Sequence, residues 1–153
     1  MKSMLFAAAS FAALASPAFA QDSADALAEA FCASVVAEDS AALAALYTED
    51  ADSYDPNGTV QKGREAIAAS WQAFFDGYDG FACTLDKKGG QDNGKNYTAW
   101  GLWTLTATPV SASAGAGGEK VTMNGRYMDI SVKTKDGWRY RADHASMLAP
   151  ATQ

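Results

Sequence analysis

The 153 residues contain one histidine, His144, within the C-terminal stretch "DGWRYRADHASM". An imidazole titrates near neutral pH, so one that stands beside a carboxylate can take a proton from a bound molecule or return it. Asp136-Gly137 lies just upstream and is a strong hairpin signal, favouring a two-residue turn with positive φ. Counting outward from that turn pairs Lys135 with Trp138 and Lys133 with Tyr140. The same count sets Ser131 opposite Ala142, Asp129 opposite His144 and Tyr127 opposite Ser146, all on one sheet face. An Asp129 and His144 pair is therefore expected. The competing reading is a hydrogen-bonded structural histidine, because cross-strand ion pairs also form for packing reasons.

Two further groups invite chemistry. Asp55 opens "DPNG", which by itself is an ordinary turn with Asp first and Pro second. Cys32 and Cys83 are the only cysteines, and they read either as a bridge from a helix to a strand or as two buried thiols. A bridge would contribute about 4 kcal/mol by restricting the unfolded chain. No cofactor is expected: the glycines of "AGAGG" do not lie between a strand and a helix, so they make no phosphate loop. One histidine without a Cys/His cluster argues against a metal site, and neither a G-x-S-x-G elbow nor an activated-cysteine context is present.

These side chains need elements to hold them. Leu27, Phe31 and Val35 recur at helical spacing, as do Leu43, Leu46 and Tyr47, and Asp39 stands where it would cap the second helix. Beyond the turn-rich "YDPNG", Ile67, Trp71 and Phe74 share one face of a third helix that ends near Gly77. From Phe81 the pattern turns to β-branched and aromatic runs, "FACTL", "NYTAWGLWTLTAT", "KVTMNGRYMDISVK" and "GWRYRADHASM", which predict four antiparallel strands. The connectors "KKGGQDNGK" and "SASAGAGGE" read as flexible loops. Helices first and strands afterwards predict an α+β domain, with the helices over one face of a curved sheet.

The first 20 residues have the three parts of a secretory leader: Lys2, an apolar run and Ala18-Phe19-Ala20. Cleavage after Ala20 would release residues 21–153 as one domain into a periplasm or the medium, with no acyl or membrane anchor. The formal net charge of −6 becomes one unit more negative when Lys2 departs. Such a surface repels nucleic acid and anionic lipid, which leaves small molecules or proteins as partners.

The order "AALAALYTEDADSYDPNG", "KGREAIAASW", "GRYMDISVKTKDGWRYRADHAS" resembles the SnoaL-like and ketosteroid-isomerase-like branch of the nuclear transport factor 2 superfamily, from about Ala24 to Met147. The resemblance implies a cone-shaped α+β barrel, with three N-terminal helices packed over a strongly bent antiparallel sheet and an apolar pocket between them. It also implies roles. Asp55 takes the position of the general base, and Asp129 that of a carboxyl kept protonated by apolar surroundings. Phe31 stands where the isomerases carry a tyrosine, which removes a hydrogen-bond donor, and His144 is available as donor or base. The resulting expectation is a secreted homodimer that binds a small hydrophobic ligand. Its catalytic residues would be Asp55, Asp129 and His144, with Tyr54, Trp71, Trp100, Tyr127, Tyr140 and Ser146 binding the ligand. The expected chemistry is isomerisation, cyclisation or hydration; the alternative is a non-catalytic ligand-binding or protein-interaction module.

Overall fold

The computed structural model describes residues 21–110 and 118–149. The leader and most of the "SASAGAGGE" connector lie outside the described residues. Helix α1 (Ala24–Val36) starts where Ser23 Oγ accepts the Ala26 N-H at 3.0 Å, and α2 (Ser40–Ala45) where Asp39 Oδ1 accepts that of Ala42 at 2.8 Å. Strands β1 (Tyr47–Tyr54) and β2 (Val60–Lys62) precede α3 (Gly63–Gly77). Then follow β3 (Tyr78–Asp92), β4 (Asn96–Pro109), β5 (Val121–Thr134) and β6 (Gly137–Met147).

The apolar stripes do what their spacing demands. Leu27 and Val35 of α1, Leu43 of α2 and Ile67 of α3 are fully or almost fully buried. The stripes converge on one core because α1 packs against β3 and β6, α3 against β1, β2 and β3, and α2 fits between the other two helices. The disulfide from Cys32 to Cys83, with Cα atoms 5.2 Å apart, ties α1 to β3.

The sheet has six strands in the order β2-β1-β6-β5-β4-β3 and is mixed: β1 runs parallel to β6, and every other pair is antiparallel. It is not closed, since β2 and β3 remain edges. Register shifts interrupt the β1-β6, β3-β4 and β5-β6 ladders, and bulges of this kind bend and twist a sheet.

Three expectations are corrected. Tyr47 belongs to β1 rather than to the second helix, because the sheet captures the chain there: the Tyr140 N-H donates to Leu46 O at 2.9 Å, and Tyr47 pairs with Tyr140. The polar run "TEDADSY" thus adds a strand that a search for apolar runs passes over. In addition, β3 continues through "KKGGQD". There Gly89 and Gly90 let aromatic rings lie flat on the backbone, since a Cβ would come within 2.5 Å of the Trp100 ring and 2.0 Å of the Tyr97 hydroxyl.

The third correction concerns register. Gly137 alone in the last turn has positive φ, at 96°, and Asp136 does not share it. The turn therefore centres on Lys135-Asp136, with Gly137 closing it. Thr134 pairs with Gly137 and Lys133 with Trp138; after a bulge at Arg141, Ile130 pairs with Ala142, Asp129 with Asp143 and Met128 with His144. The expected pairs of Asp129 with His144 and Tyr127 with Ser146 do not form.

Candidate functional site

Between the helices and the inner face of the sheet lies a cavity of about 300 Å³. Strand alternation decides who reaches it. On β5, Met123, Tyr127 and Asp129 point inward while Arg126, Met128 and Ile130 point out, and on β4 Trp103 and Leu105 face in while Trp100 faces out. Tyr140, Asp143 and Ala145 contribute from β6. Helical spacing brings Ser70, Trp71 and Phe74 of α3 to the opposite wall, where Phe31 of α1 meets Trp71 edge-on with ring centroids 5.5 Å apart. Two glycines make room for the rings: a Cβ at Gly125 would lie 2.6 Å from the Trp103 ring, and one at Gly101 would lie 2.8 Å from that of Tyr127. Trp103 is then fixed by donating its indole N-H to Arg126 O at 3.1 Å.

Asp55 sits in the turn between β1 and β2. Its backbone N-H donates to Thr59 O and its carbonyl accepts from Gly58, both at 2.9 Å, and Gly58 has φ 87°. Asp55 is a turn residue and a cavity residue at once, because its carboxylate points toward α3, where Ser70 Oγ donates to Oδ2 at 3.3 Å. Partial burial pushes this carboxyl above its ordinary range, against the opposing hydrogen bonds of Ser70 and Gln61. Arg64 holds the start of α3 on β1 by donating Nε-H to Tyr47 O at 2.6 Å.

The floor of the cavity is acidic. Asp129 is 9% exposed and forms no hydrogen bond with any described residue. Burial first, and the neighbouring Asp143 second, push its carboxyl up to about 7. Asp143, directly across the ladder, accepts the Tyr47 hydroxyl on Oδ2 at 2.8 Å, whereas Oδ1 is buried without a partner. Burial raises it to about 6; the Ser53 and Tyr47 hydroxyls hold it down, the Asp55 charge pushes it up, and His144 lowers it slightly. Burial also drives Tyr140 and Tyr47 well above the usual phenol range, and Tyr127 to about 12, so all three stay as hydroxyl donors. The Tyr127 and Tyr140 hydroxyls have no partner among the described residues.

Of the residues singled out in the sequence, Asp55, Asp129, Tyr54, Trp71, Tyr127 and Tyr140 border this cavity. Trp100 and Ser146 do not; both lie on the outer face, around a shallow depression shared with Arg126 and Met128. Their positions follow from alternation, since Trp100 stands three residues from Trp103 and Ser146 one from Ala145, both odd separations. His144 is exposed and stands at the rim, next to Met128 on one side and Tyr54 on the other, its ring 6.4 Å from the tyrosine's. Asp143 and Tyr47 were missed. A correct hairpin register would have exposed Asp143, whereas nothing local marks Tyr47 as its partner.

This arrangement can receive a small apolar molecule and surround it with hydroxyl donors, two carboxyls of raised pKa on one side and Asp55 on the other. It resembles several known proteins in fold. A nuclear transport factor 2-like protein from Salmonella enterica superposes with a TM-score of 0.69 at 19% identity, covering 82% of this chain and 89% of that one. A protein from Novosphingobium aromaticivorans named as a candidate scytalone dehydratase gives a TM-score of 0.72 at 13% identity, covering 82% and 81%. A candidate dehydratase from Streptomyces avermitilis gives 0.69 at 17% identity, covering 81% and 93%. None of the curated protein sequences matches the chain. The SnoaL-like domain family matches residues 28–140, most of the chain, and its helix-covered open sheet is the one described above, so the chain belongs to the SnoaL-like domain family.

Proposed function

We propose that the chain is an exported protein that binds a small, mainly hydrophobic molecule and catalyses proton transfer on it, of the isomerase, cyclase or hydratase kind. The observation that carries this reading is Asp129: a buried, unpartnered carboxyl facing an apolar cavity that Asp55 also borders. Held near neutrality, such a carboxyl donates a hydrogen bond to an oxygen that gains negative charge as a neighbouring carbon loses its proton. Asp55 is the base and Asp129 the donor. The free Tyr140 and Tyr127 hydroxyls offset the donor lost with a phenylalanine at position 31. His144, at the rim, relays protons between the cavity and solvent. The dehydratase names of two structural neighbours agree with chemistry at carbon, although their likeness concerns the fold.

Deuterium incorporation at the α-carbon of 2-tetralone, a compact aromatic ketone, tests the reading. The protein should exchange that position faster than buffer, and Asp55→Asn should abolish the gain. A protein that binds aromatic ketones without exchanging them would support the second reading, a non-catalytic ligand-binding module, which the absence of a tyrosine at position 31 favours.

Export with cleavage near Ala20 is supported by the apolar leader and by the disulfide, a bond that persists in oxidising compartments. Among the described residues, no helix is long and apolar enough to cross a membrane. A homodimer is supported by the outer face of the sheet, where Trp100, Met128 and Ile130 are 39%, 53% and 40% exposed. Sedimentation of the cleaved protein should give a dimer, and Met128→Asp should shift it to a monomer.

A further inference from the structure

The cavity floor is acidic, and among the described residues only His144 at the rim stands near it as a basic group. Among the described residues Asp143 Oδ1 is buried without a partner, and Asp129 faces it across the ladder unbonded. Among the described residues, no lysine or arginine lines the cavity. Its walls are largely rings, among them Phe31, Trp71, Phe74, Trp103, Tyr127 and Tyr140. Removing an unpaired carboxylate from water costs several kcal/mol unless something compensates it. Aromatic faces add a negative quadrupole on the same interior. Both features repel an anion and attract a cation. Among the described residues, no three His, Cys, Asp or Glu side chains are placed to hold a metal ion, so a bare metal ion does not meet this need.

We infer that the cavity takes a hydrophobic organic cation, an aromatic or alicyclic molecule bearing an amine or quaternary ammonium group whose charge lies against Asp143 and between the aromatic walls, with Asp129 left as the hydrogen-bond donor of the proton-transfer reading. This names a substrate class for the proton-transfer reading and rests on that cavity, but not on Asp55 acting as a base. It also imposes a pH dependence. The titratable groups facing the two carboxyls are Tyr47 and Tyr54 from β1, Asp55 from the β1-β2 turn, Tyr127 from β5, and Tyr140 with His144 from β6; the helices contribute Phe31, Ser70, Trp71 and Phe74, which do not titrate. Because Asp143 and Asp129 ionise near 6 and 7 while burial keeps Tyr47, Tyr127 and Tyr140 as neutral phenols, the floor gains its charge between mildly acidic and mildly basic pH. Cation affinity should rise across that interval, and binding in the middle of it should release protons.

Calorimetry with three probes on the cleaved, oxidised protein tests this: benzyltrimethylammonium, its uncharged isostere neopentylbenzene, and benzoate. At about pH 8 the cation should bind at least about tenfold more tightly than the isostere, with benzoate weakest. That advantage should shrink by about tenfold at about pH 5. Near pH 6.5 the heat should vary with the ionisation enthalpy of the buffer. Asp143→Asn should remove most of the advantage while the isostere's affinity is kept; if that variant does not fold, the pH series on the parent protein provides the comparison. An isostere that binds as tightly as the cation, an advantage indifferent to pH, or no cation binding at millimolar concentration would each overturn the inference. Asp55→Asn should retain the cation preference even where it abolishes exchange, so failure of the ligand class and failure of the base are read separately.

Discussion

Asp129 and Asp143 stand opposite each other on β5 and β6, with the Tyr47 hydroxyl bound to one of them only. The final hairpin thus sets acid beside acid on the cavity side and sends His144 to the rim.

This pairing fixes the sign of a stability effect. Both carboxyls have higher pKa values in the folded chain, about 7 and about 6, than the ordinary 3.8. The folded state therefore keeps protons that the unfolded state releases, and stability contributed by these two groups falls as pH rises from about 4 through about 7. Asp129→Asn should accordingly stabilise the protein at about pH 8, by on the order of 2 kcal/mol, and lose that benefit near pH 4. Thermal melts of both proteins across the range measure the difference. A variant equally destabilised at every pH would contradict the burial of an ionisable carboxyl here.

Asp55 separates catalysis from turn formation. Its backbone makes the turn bonds while its carboxylate reaches toward Ser70, so Asp55→Asn should keep the turn and change the melting point little. Exchange of the ketone proton should drop by about a hundredfold or more. Tyr140→Phe should cost less, roughly tenfold, because it removes one donor among several. A fully active, well-folded Asp55→Asn protein would reassign the residue to the turn alone.

The disulfide bridges cysteines 51 residues apart. Replacing both with serine should lower unfolding stability by about 4 kcal/mol on the chain-entropy estimate. Denaturant midpoints with and without a thiol reductant provide the same comparison. If the midpoint does not move, the cysteines are not bridged in solution.

Gly125 is a packing prediction. A methyl there would lie 1.9 Å from Ser146 O and 2.6 Å from the Trp103 ring. Gly125→Ala should destabilise by about 2 kcal/mol or more and alter tryptophan fluorescence as Trp103 is displaced. Gly77→Ala is the control: nothing lies within 4 Å at the end of α3, and the change should be neutral or stabilising by under about 1 kcal/mol.

Much of the architecture was legible because it rests on local patterns. The Leu27 and Val35 stripe, the Asp39 cap and the aromatic alternation of β4 and β5 each follow from period and composition. What escaped depends on partners distant in sequence. "TEDADSY" becomes a strand because β6 lies beside it, and its buried alternate residues include Ser53. Register escaped because one dipeptide admits two turn geometries, and the choice moves every pairing by two residues until the bulge at Arg141 moves it back by one. That single extra residue exchanged His144 for Asp143 on the cavity side. The resemblance, not the residue pattern, drew attention to Asp55, since the turn chemistry of "DPNG" is sufficient without it.

The place of β6 in the sheet also orders events in time. It lies between β1 and β5 although it is the last strand in sequence. Until it is available, the β1-β2 hairpin and the β3-β4-β5 meander have no shared ladder, and Tyr140 and Asp143 are missing from the cavity. During vectorial synthesis the sheet must therefore wait for β6 before its two parts can join. A chain paused before β6 therefore has two partial sheets and an incomplete cavity.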